Sequence, residues 1–222
     1  MEKLAIFGGN PVREKPIYYG HQYIDDEDIE AVVNVLKSDY LTCGPKINEL
    51  EKRICEVTGA KYAVAIANGT AALHVACLAA GIKEGDEVIT TPITFAASAN
   101  CTLYCGAKPV FADINPYTYN IDPDDIERKI TQNTKAIVAV DFTGQAVEID
   151  RIKEICRKNN LIFIEDGAHS IGTKYNGKGV GSLADMTTFS FHPVKTITGG
   201  EGGAITTNSK ELYEKLILFR AH

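Results

Sequence analysis

The chain has 222 residues, with 23 lysines and arginines against 29 aspartates and glutamates, and a formal charge of −6. Its 45% apolar and 23% charged content is ordinary for a globular protein and excludes a disordered chain. The acidic balance argues against a nucleic-acid binder, which would show a basic stripe. No apolar run approaches the roughly 20 residues needed to cross a bilayer, and the opening MEKLAIFGGNPVREK lacks the apolar stretch of a signal peptide. A soluble, cytoplasmic protein without membrane or nucleic-acid partners is expected. Six cysteines (Cys43, Cys55, Cys77, Cys101, Cys105, Cys156) include no Cys-x-x-Cys pair. They are expected to be free thiols, several of them buried, with no metal site.

Residues 1–60 are expected to form a mostly helical N-terminal segment. Asp25 to Ser38 opens with acids, which suit a helix N-terminus, and Ile29, Val32, Val33 and Leu36 then recur at helical spacing. A turn-rich TCGP leads to a second helix near Ile47 to Thr58. From residue 61 the pattern alternates. YAVAIA (Tyr62 to Ala67) predicts a strand and NGTAALHVACLAAG the helix after it. EVITTP (Glu87 to Pro92) predicts a strand, followed by a helix from about Phe95 to Cys105. PVFADI (Pro109 to Ile114) is a strand, and Asp122-Pro123 caps a helix through Ile130. AIVAVDF (Ala136 to Phe142) is a strand, and Ile149, Ile152, Ile155 and Cys156 share one helix face. LIFIED (Leu161 to Asp166), TTFSF (Thr187 to Phe191) and GAITTN (Gly203 to Asn208) are strands, and a last helix starts near Ser209. Strands apolar on both faces and alternating with helices imply an α/β domain with a mostly parallel sheet covered on two sides. Ligands in such sheets bind beyond the carboxyl ends of the strands.

Three polar groups follow strands. Asn68-Gly69-Thr70-Ala71 opens a helix, where Gly69 permits a tight turn and the free N–H groups with the Thr70 hydroxyl suit a phosphate, or simply cap the helix. It is neither a P-loop nor Gly-x-Gly-x-x-Gly, so no nucleotide triphosphatase or dinucleotide fold is supported. Asp166 ends a buried strand, where a carboxylate is costly without a cation, a metal or a protonated ring nitrogen; a helix-capping aspartate is the alternative. His169, three residues on, could sit beside it. Lys195 stands in a loop after another strand, ahead of the glycine-rich Gly199 to Gly203. A lysine there loses its proton readily and can become a nucleophile or Schiff-base former, unless it is only a solvated loop residue. Ser190 could contact the same phosphate as Thr70. In this order, a phosphate turn, a strand-end aspartate and a loop lysine are the equipment of pyridoxal 5′-phosphate (PLP) enzymes of the aspartate-aminotransferase fold. Phe95 is placed to stack on the ring.

The stretches YYGHQYIDDEDIEAVVNVLKSDYLTCGP, ANGTAALH, PITFAASANC, IEDGAHSIG and SFHPVKTITGGEGG resemble the DegT/DnrJ/StrS group of sugar-nucleotide aminotransferases, almost end to end. YGHQ, SDYLTCGPK and SFHPVK are most similar to the branch that serves pseudaminic acid biosynthesis. The resemblance implies the large domain of PLP fold type I. It implies Lys195 as Schiff-base lysine and proton shuttle, Asp166 as partner of the pyridine nitrogen, and His169 near the cofactor's 3-oxygen. It also implies Gly69, Thr70, Ala71 and Ser190 around the phosphate, and Phe95 as the stacking aromatic. The reaction implied moves the amino group of L-glutamate to the C4 ketone of a UDP-linked 4-keto-6-deoxy sugar, UDP-2-acetamido-2,6-dideoxy-β-L-arabino-hexos-4-ulose. The alternatives are another chemistry of the same fold, a dehydratase or desulfurase, or an inactive PLP-binding fragment. Lys195 argues against the dehydratases, which carry histidine there. Family members are longer, homodimeric and end in a small domain. Residues 61–222 are therefore expected to be an incomplete large domain without the C-terminal small domain.

Overall fold

The computed structural model describes residues 3–18 and 20–220. Tyr19 of the YYGHQ stretch and the terminal Ala221 and His222 lie outside them. One seven-stranded sheet organises the chain: β1 (Tyr62–Ile66), β2 (Glu87–Thr90), β3 (Lys108–Phe111), β4 (Thr134–Val140), β5 (Ile162–Asp166), β8 (Met186–Ser190) and β9 (Gly203–Thr207). The order across it is β1-β9-β8-β5-β4-β2-β3. Every pairing is parallel except those of β9, which runs antiparallel to both β1 and β8. A small hairpin, β6 (Lys174–Tyr175) with β7 (Lys178–Gly179), stands outside this sheet.

Seven α-helices among the described residues accompany it: α1 (Asp26–Leu36), α2 (Pro45–Thr58), α3 (Gly69–Ala79), α4 (Ala97–Tyr104), α5 (Pro123–Lys129), α6 (Ile149–Asn159) and α7 (Lys210–Arg220). The strands are apolar on both sides because both sides are covered. Ala136, Val138 and Ile164 pack with Ala72, Ala76 and Cys77 of α3, Cys101 of α4 and Leu216 of α7. Their alternates Ile137, Ala139 and Phe163 pack with Ile126 of α5 and with Ile149, Ile152 and Ile155 of α6. Ile54 of α2 joins Ala63, Phe189 and Ala204 in a third cluster, which ties the helical N-terminal part to the β1-β9-β8 side.

Chemistry local to each end sets the helix bounds. Asp25 caps α1 through a reciprocal box in which its side chain accepts from the Glu27 and Asp28 N–H groups, and the Asp28 side chain accepts from the Asp25 N–H. The predicted apolar face of α1 is present, but Ile29, Val32 and Leu36 remain exposed and no residue of α1 is buried. Pro123 occupies the first turn of α5 behind the Asp122 cap. The helix expected from Phe95 begins instead at Ala97, because residues 92–94 bend before it. Cys77, Cys101 and Cys156 are buried, Cys55 and Cys105 are half-buried, and Cys43 is exposed. No helix among the described residues is long and apolar enough to cross a membrane.

α7 is held by one fully buried side chain, Leu216, and by stacking of Tyr213 on Tyr62 of β1 with ring centroids 4.6 Å apart. Leu216→Ala is expected to cost about 2–5 kcal/mol of stability, the usual range for truncating a buried leucine. Urea denaturation checks this, and a loss well under 1 kcal/mol would show that α7 contributes little to the fold.

Candidate active site

A cleft of about 540 Å³ opens where the parallel strands end. Three segments wall it: the turn from β1 into α3, the ends of β5 and β8, and the loop between β8 and β9. The antiparallel strand β9 brings these segments together. Gly203, its first residue, pairs with Ile66 at the end of β1 and with Ser190 at the end of β8. A Cβ on Gly203 would fall 2.7 Å from the Asn68 carbonyl carbon, so only glycine lets the α3 turn come this close. Gly69 is constrained in the same way, since its Cβ would lie 2.7 Å from the Ser190 Cβ and 3.1 Å from Ser190 Oγ. The N-terminus of α3 is thereby pressed against the Ser190 hydroxyl.

Asn68 caps α3, its side-chain oxygen accepting from the Ala71 N–H at 2.8 Å. Asn is among the preferred capping residues, so its type was the available signal. The Ala71 N–H is therefore already used. Gly69 and Thr70, whose N–H groups have no acceptor within the helix, line the cleft together with Ser190. This is an anion cradle with the positive end of the helix dipole behind it.

Asp166 closes β5 and is buried, 5% exposed. Ser98 Oγ donates to its Oδ2 at 2.6 Å, and the Ala168 N–H donates to Oδ1 at 3.2 Å. Ser98, on the first turn of α4 and fully buried, in turn contacts Thr94 Oγ1 at 2.7 Å. Sequence reasoning missed both hydroxyls, since the contact spans 68 residues of chain. Burial pushes the Asp166 carboxyl above the usual carboxylate range, against the opposing effect of Ser98, the Ala168 N–H, Lys195 and His169. Both direct donors are neutral, so the carboxylate has room for a cation as its counter-charge.

Lys195 enters from the β8–β9 loop and is half-buried. Burial holds its ammonium below the ordinary lysine range, partly offset by Asp166. Its Nζ lies 2.7 Å from His169 Nε2. Burial first, and Lys195 second, lower the His169 pKa. His169 is thus brought to Lys195 rather than into direct hydrogen bonding with Asp166. The Thr196 hydroxyl donates to the His169 carbonyl at 3.1 Å. Phe95 lines the cleft at 73% exposure.

Gly69, Thr70, Phe95, Asp166, Ser190 and Lys195 all line this one cleft. His169 stands beside it through Lys195, and Ala71 lies one residue beyond the lining, on the cap. Among the described residues no cluster of three or more His, Cys, Asp or Glu side chains could hold a metal ion. An anion cradle, an acid awaiting a cation and an amine of lowered basicity therefore converge on one space.

The DegT/DnrJ/EryC1/StrS aminotransferase family model matches residues 22–222, and the chain belongs to that family. It is 47% identical over 209 residues to the UDP-4-amino-4,6-dideoxy-N-acetyl-beta-L-altrosamine transaminase of Campylobacter jejuni, covering 93% of this chain and 55% of that one. Among solved structures, Helicobacter pylori PseC, an aminotransferase involved in the biosynthesis of pseudoaminic acid, aligns with a TM-score of 0.88 and 42% identity, over 94% of this chain and 56% of that one. The PLP form of Spr1654 from Streptococcus pneumoniae aligns with a TM-score of 0.87 and 33% identity, over 91% and 57%. The chain spans about half the length of the relatives it matches.

Proposed function

We propose that the protein binds PLP and transfers the amino group of L-glutamate to the C4 ketone of a UDP-linked 4-keto-6-deoxy sugar, in the making of an amino sugar for pseudaminic acid. The observation that supports this best is the meeting of the α3 cradle, Asp166 and Lys195 in one cleft. The residues fit the cofactor at both ends. The cradle that a Cβ on Gly69 would spoil suits a phosphate, and the buried Asp166 suits a protonated ring nitrogen. Likeness to the Campylobacter jejuni transaminase and to PseC supports the sugar branch.

When bound, PLP supplies the electron sink that makes an amino acid's α-carbon acidic. The Gly69 and Thr70 N–H groups with the Thr70 and Ser190 hydroxyls would hold its phosphate, and Phe95 would lie against its ring. Asp166, kept in place by Ser98 and the Ala168 N–H, would hold the proton on the ring nitrogen. Lys195 would be the covalent anchor of the cofactor. Burial lowers the basicity of its amine, so Nζ would be suited to take the proton from the glutamate α-carbon. In the second half of the cycle the same atom delivers a proton to C4 of the keto sugar. His169, 2.7 Å away, orients that amine and exchanges protons with it. The enzyme is read as a cytoplasmic homodimer, with residues 1–60 a helical segment, residues 61–222 the PLP-binding large domain, and a small domain completing the active site.

Incubation with PLP, L-glutamate and a panel of UDP-, dTDP- and GDP-linked 4-keto-6-deoxy sugars tests the reading. Formation of 2-oxoglutarate fastest with the UDP sugar is expected. Preference for another base overturns the substrate assignment, and no 2-oxoglutarate with any ketosugar overturns the transaminase.

A further inference from the structure

Asp141 is a buried carboxyl group that the proposed chemistry does not use. It follows β4, one strand away from Asp166, is 1% exposed, and donates its backbone N–H to the Asp166 carbonyl at 3.1 Å. Its Oδ2 accepts from Ser170 Oγ at 2.6 Å, and its Oδ1 accepts from the Val147 N–H at 3.0 Å. Ser170 adjoins His169 and is fully buried. Two further contacts stitch the same segments together. Thr173 Oγ1 donates to the Gly144 carbonyl at 3.0 Å, and Gly144 passes so near the His169 carbonyl that a Cβ there would lie 2.8 Å from it. The turn carrying Gly144 is strained, for the β-branched Thr143 sits at φ 55°. Such a conformation persists only where its surroundings over-determine it.

We propose that Asp141 is a positioning residue: through Ser170, its carboxyl group latches the segment that carries His169 and so aims that imidazole at Lys195. The proposal rests on the transamination reading. His169 has few other restraints, since it is largely exposed and is fixed only at its carbonyl and at Nε2. Without the latch, the segment keeps its Thr173–Gly144 contact and its backbone turn, but His169 itself is anchored only through its carbonyl to the exposed Thr196 hydroxyl and through Nε2 to Lys195.

Burial, with a smaller push from the Asp166 charge, raises the Asp141 pKa to about 7, while Ser170 and the Val147 N–H oppose this. The charged groups facing it are acids: Asp166 at the end of β5, and Glu165 beside it, whose own carboxyl is raised by burial and by Asp141. The neutral acid is therefore a major form near neutrality. An asparagine reproduces that form, its oxygen accepting from Val147 and its amide donating to Ser170 Oγ. For a carboxyl whose folded pKa lies above its unfolded value, the stabilising contribution is full below the unfolded value. It is lost as pH rises through the folded one, here between about pH 4 and pH 7.

The test compares Asp141→Ala, Ser170→Ala and Asp141→Asn. Asp141→Ala and Ser170→Ala are expected to slow the glutamate half-reaction about tenfold to a hundredfold, the scale of a small misplacement of a reacting group, while PLP affinity changes little. Asp141→Asn is expected to recover most of that rate, and to flatten the fall in stability of the cofactor-free protein between about pH 4 and pH 7. Rates in both latch-breaking variants equal to wild type would overturn the proposal. So would losses that merely follow the fraction unfolded in urea, or an Asn variant as slow as the Ala variant. The cofactor-free stability measurement does not depend on turnover, so a wild-type protein that failed to bind PLP would refute the transamination reading while leaving the latch measurable.

Discussion

Replacing Lys195 with alanine is expected to lower transamination by about 10²–10⁴-fold, the usual contribution of a positioned acid–base group, beyond the loss of the covalent anchor. Burial holds its ammonium below the ordinary range, which eases the loss of its proton. His169 is the sole side chain hydrogen-bonded to Nζ among the described residues, and its own lowered pKa suits it to accept or return a proton there. The measurement is the single-turnover rate of 2-oxoglutarate formation with PLP saturating. Wild-type rate in the alanine variant would remove Lys195 from the chemistry. Recovery of part of the rate with added small primary amines would identify the missing function as proton transfer.

Asp166→Asn is expected to act in opposite directions on the two forms of the protein. In the cofactor-free protein the carboxyl is raised by burial. Its stabilising contribution is therefore present at low pH and lost as pH rises through the folded value. A neutral amide escapes that loss and can still meet Ser98 and the Ala168 N–H, so the variant should be as stable as wild type or more stable at about pH 8. In the loaded protein the same change removes the counter-charge of the ring proton. Deleting one member of a buried charge pair costs about 2–5 kcal/mol, or roughly 30- to 5,000-fold in rate. Urea denaturation without PLP and turnover with PLP check the two halves. A variant that unfolds more easily without PLP yet turns over normally with it would make Asp166 a structural cap, the alternative that its position also allowed.

The sheet was legible in the sequence because its strands are short apolar runs bounded by turn residues. Each predicted strand is found within two or three residues of its expected ends, as Ala136–Phe142 against Thr134–Val140 shows. Its order was not legible, nor was the reversal of β9, because strand direction depends on crossovers that leave no local mark. The β6–β7 hairpin was passed over although Asn176-Gly177 is a strong turn signal, both residues at positive φ. Its two-residue strands are too short to show alternation. α1 was legible from its cap and spacing, while the exposure of its apolar face could not be read from periodicity alone.

In the site, Gly69, Thr70, Asp166, Ser190 and Lys195 could be picked out because each stands at or beyond the end of a strand in a sheet whose ligands bind at strand ends. What the sequence concealed lies one step behind them. Ser98 is an ordinary small residue in an apolar helix, and only the fold sets it 2.6 Å from Asp166. Asp141 also follows a strand, yet its partner Ser170 is 29 residues away, and its burial is a property of the packed sheet. The sequence reading offered Thr70 as the alternative cap of α3, but Asn68 is the cap, and it takes the N–H of Ala71, a residue the resemblance placed at the phosphate.

The central claim, that this cleft is a PLP site anchored on Lys195, is tested most directly by borohydride reduction of the PLP-treated protein, followed by peptide mapping by mass. One reduced phosphopyridoxyl group on the peptide carrying Lys195, lost in Lys195→Ala, is the result predicted. Labelling scattered over surface lysines, or a single label on a lysine outside the cleft, would contradict it.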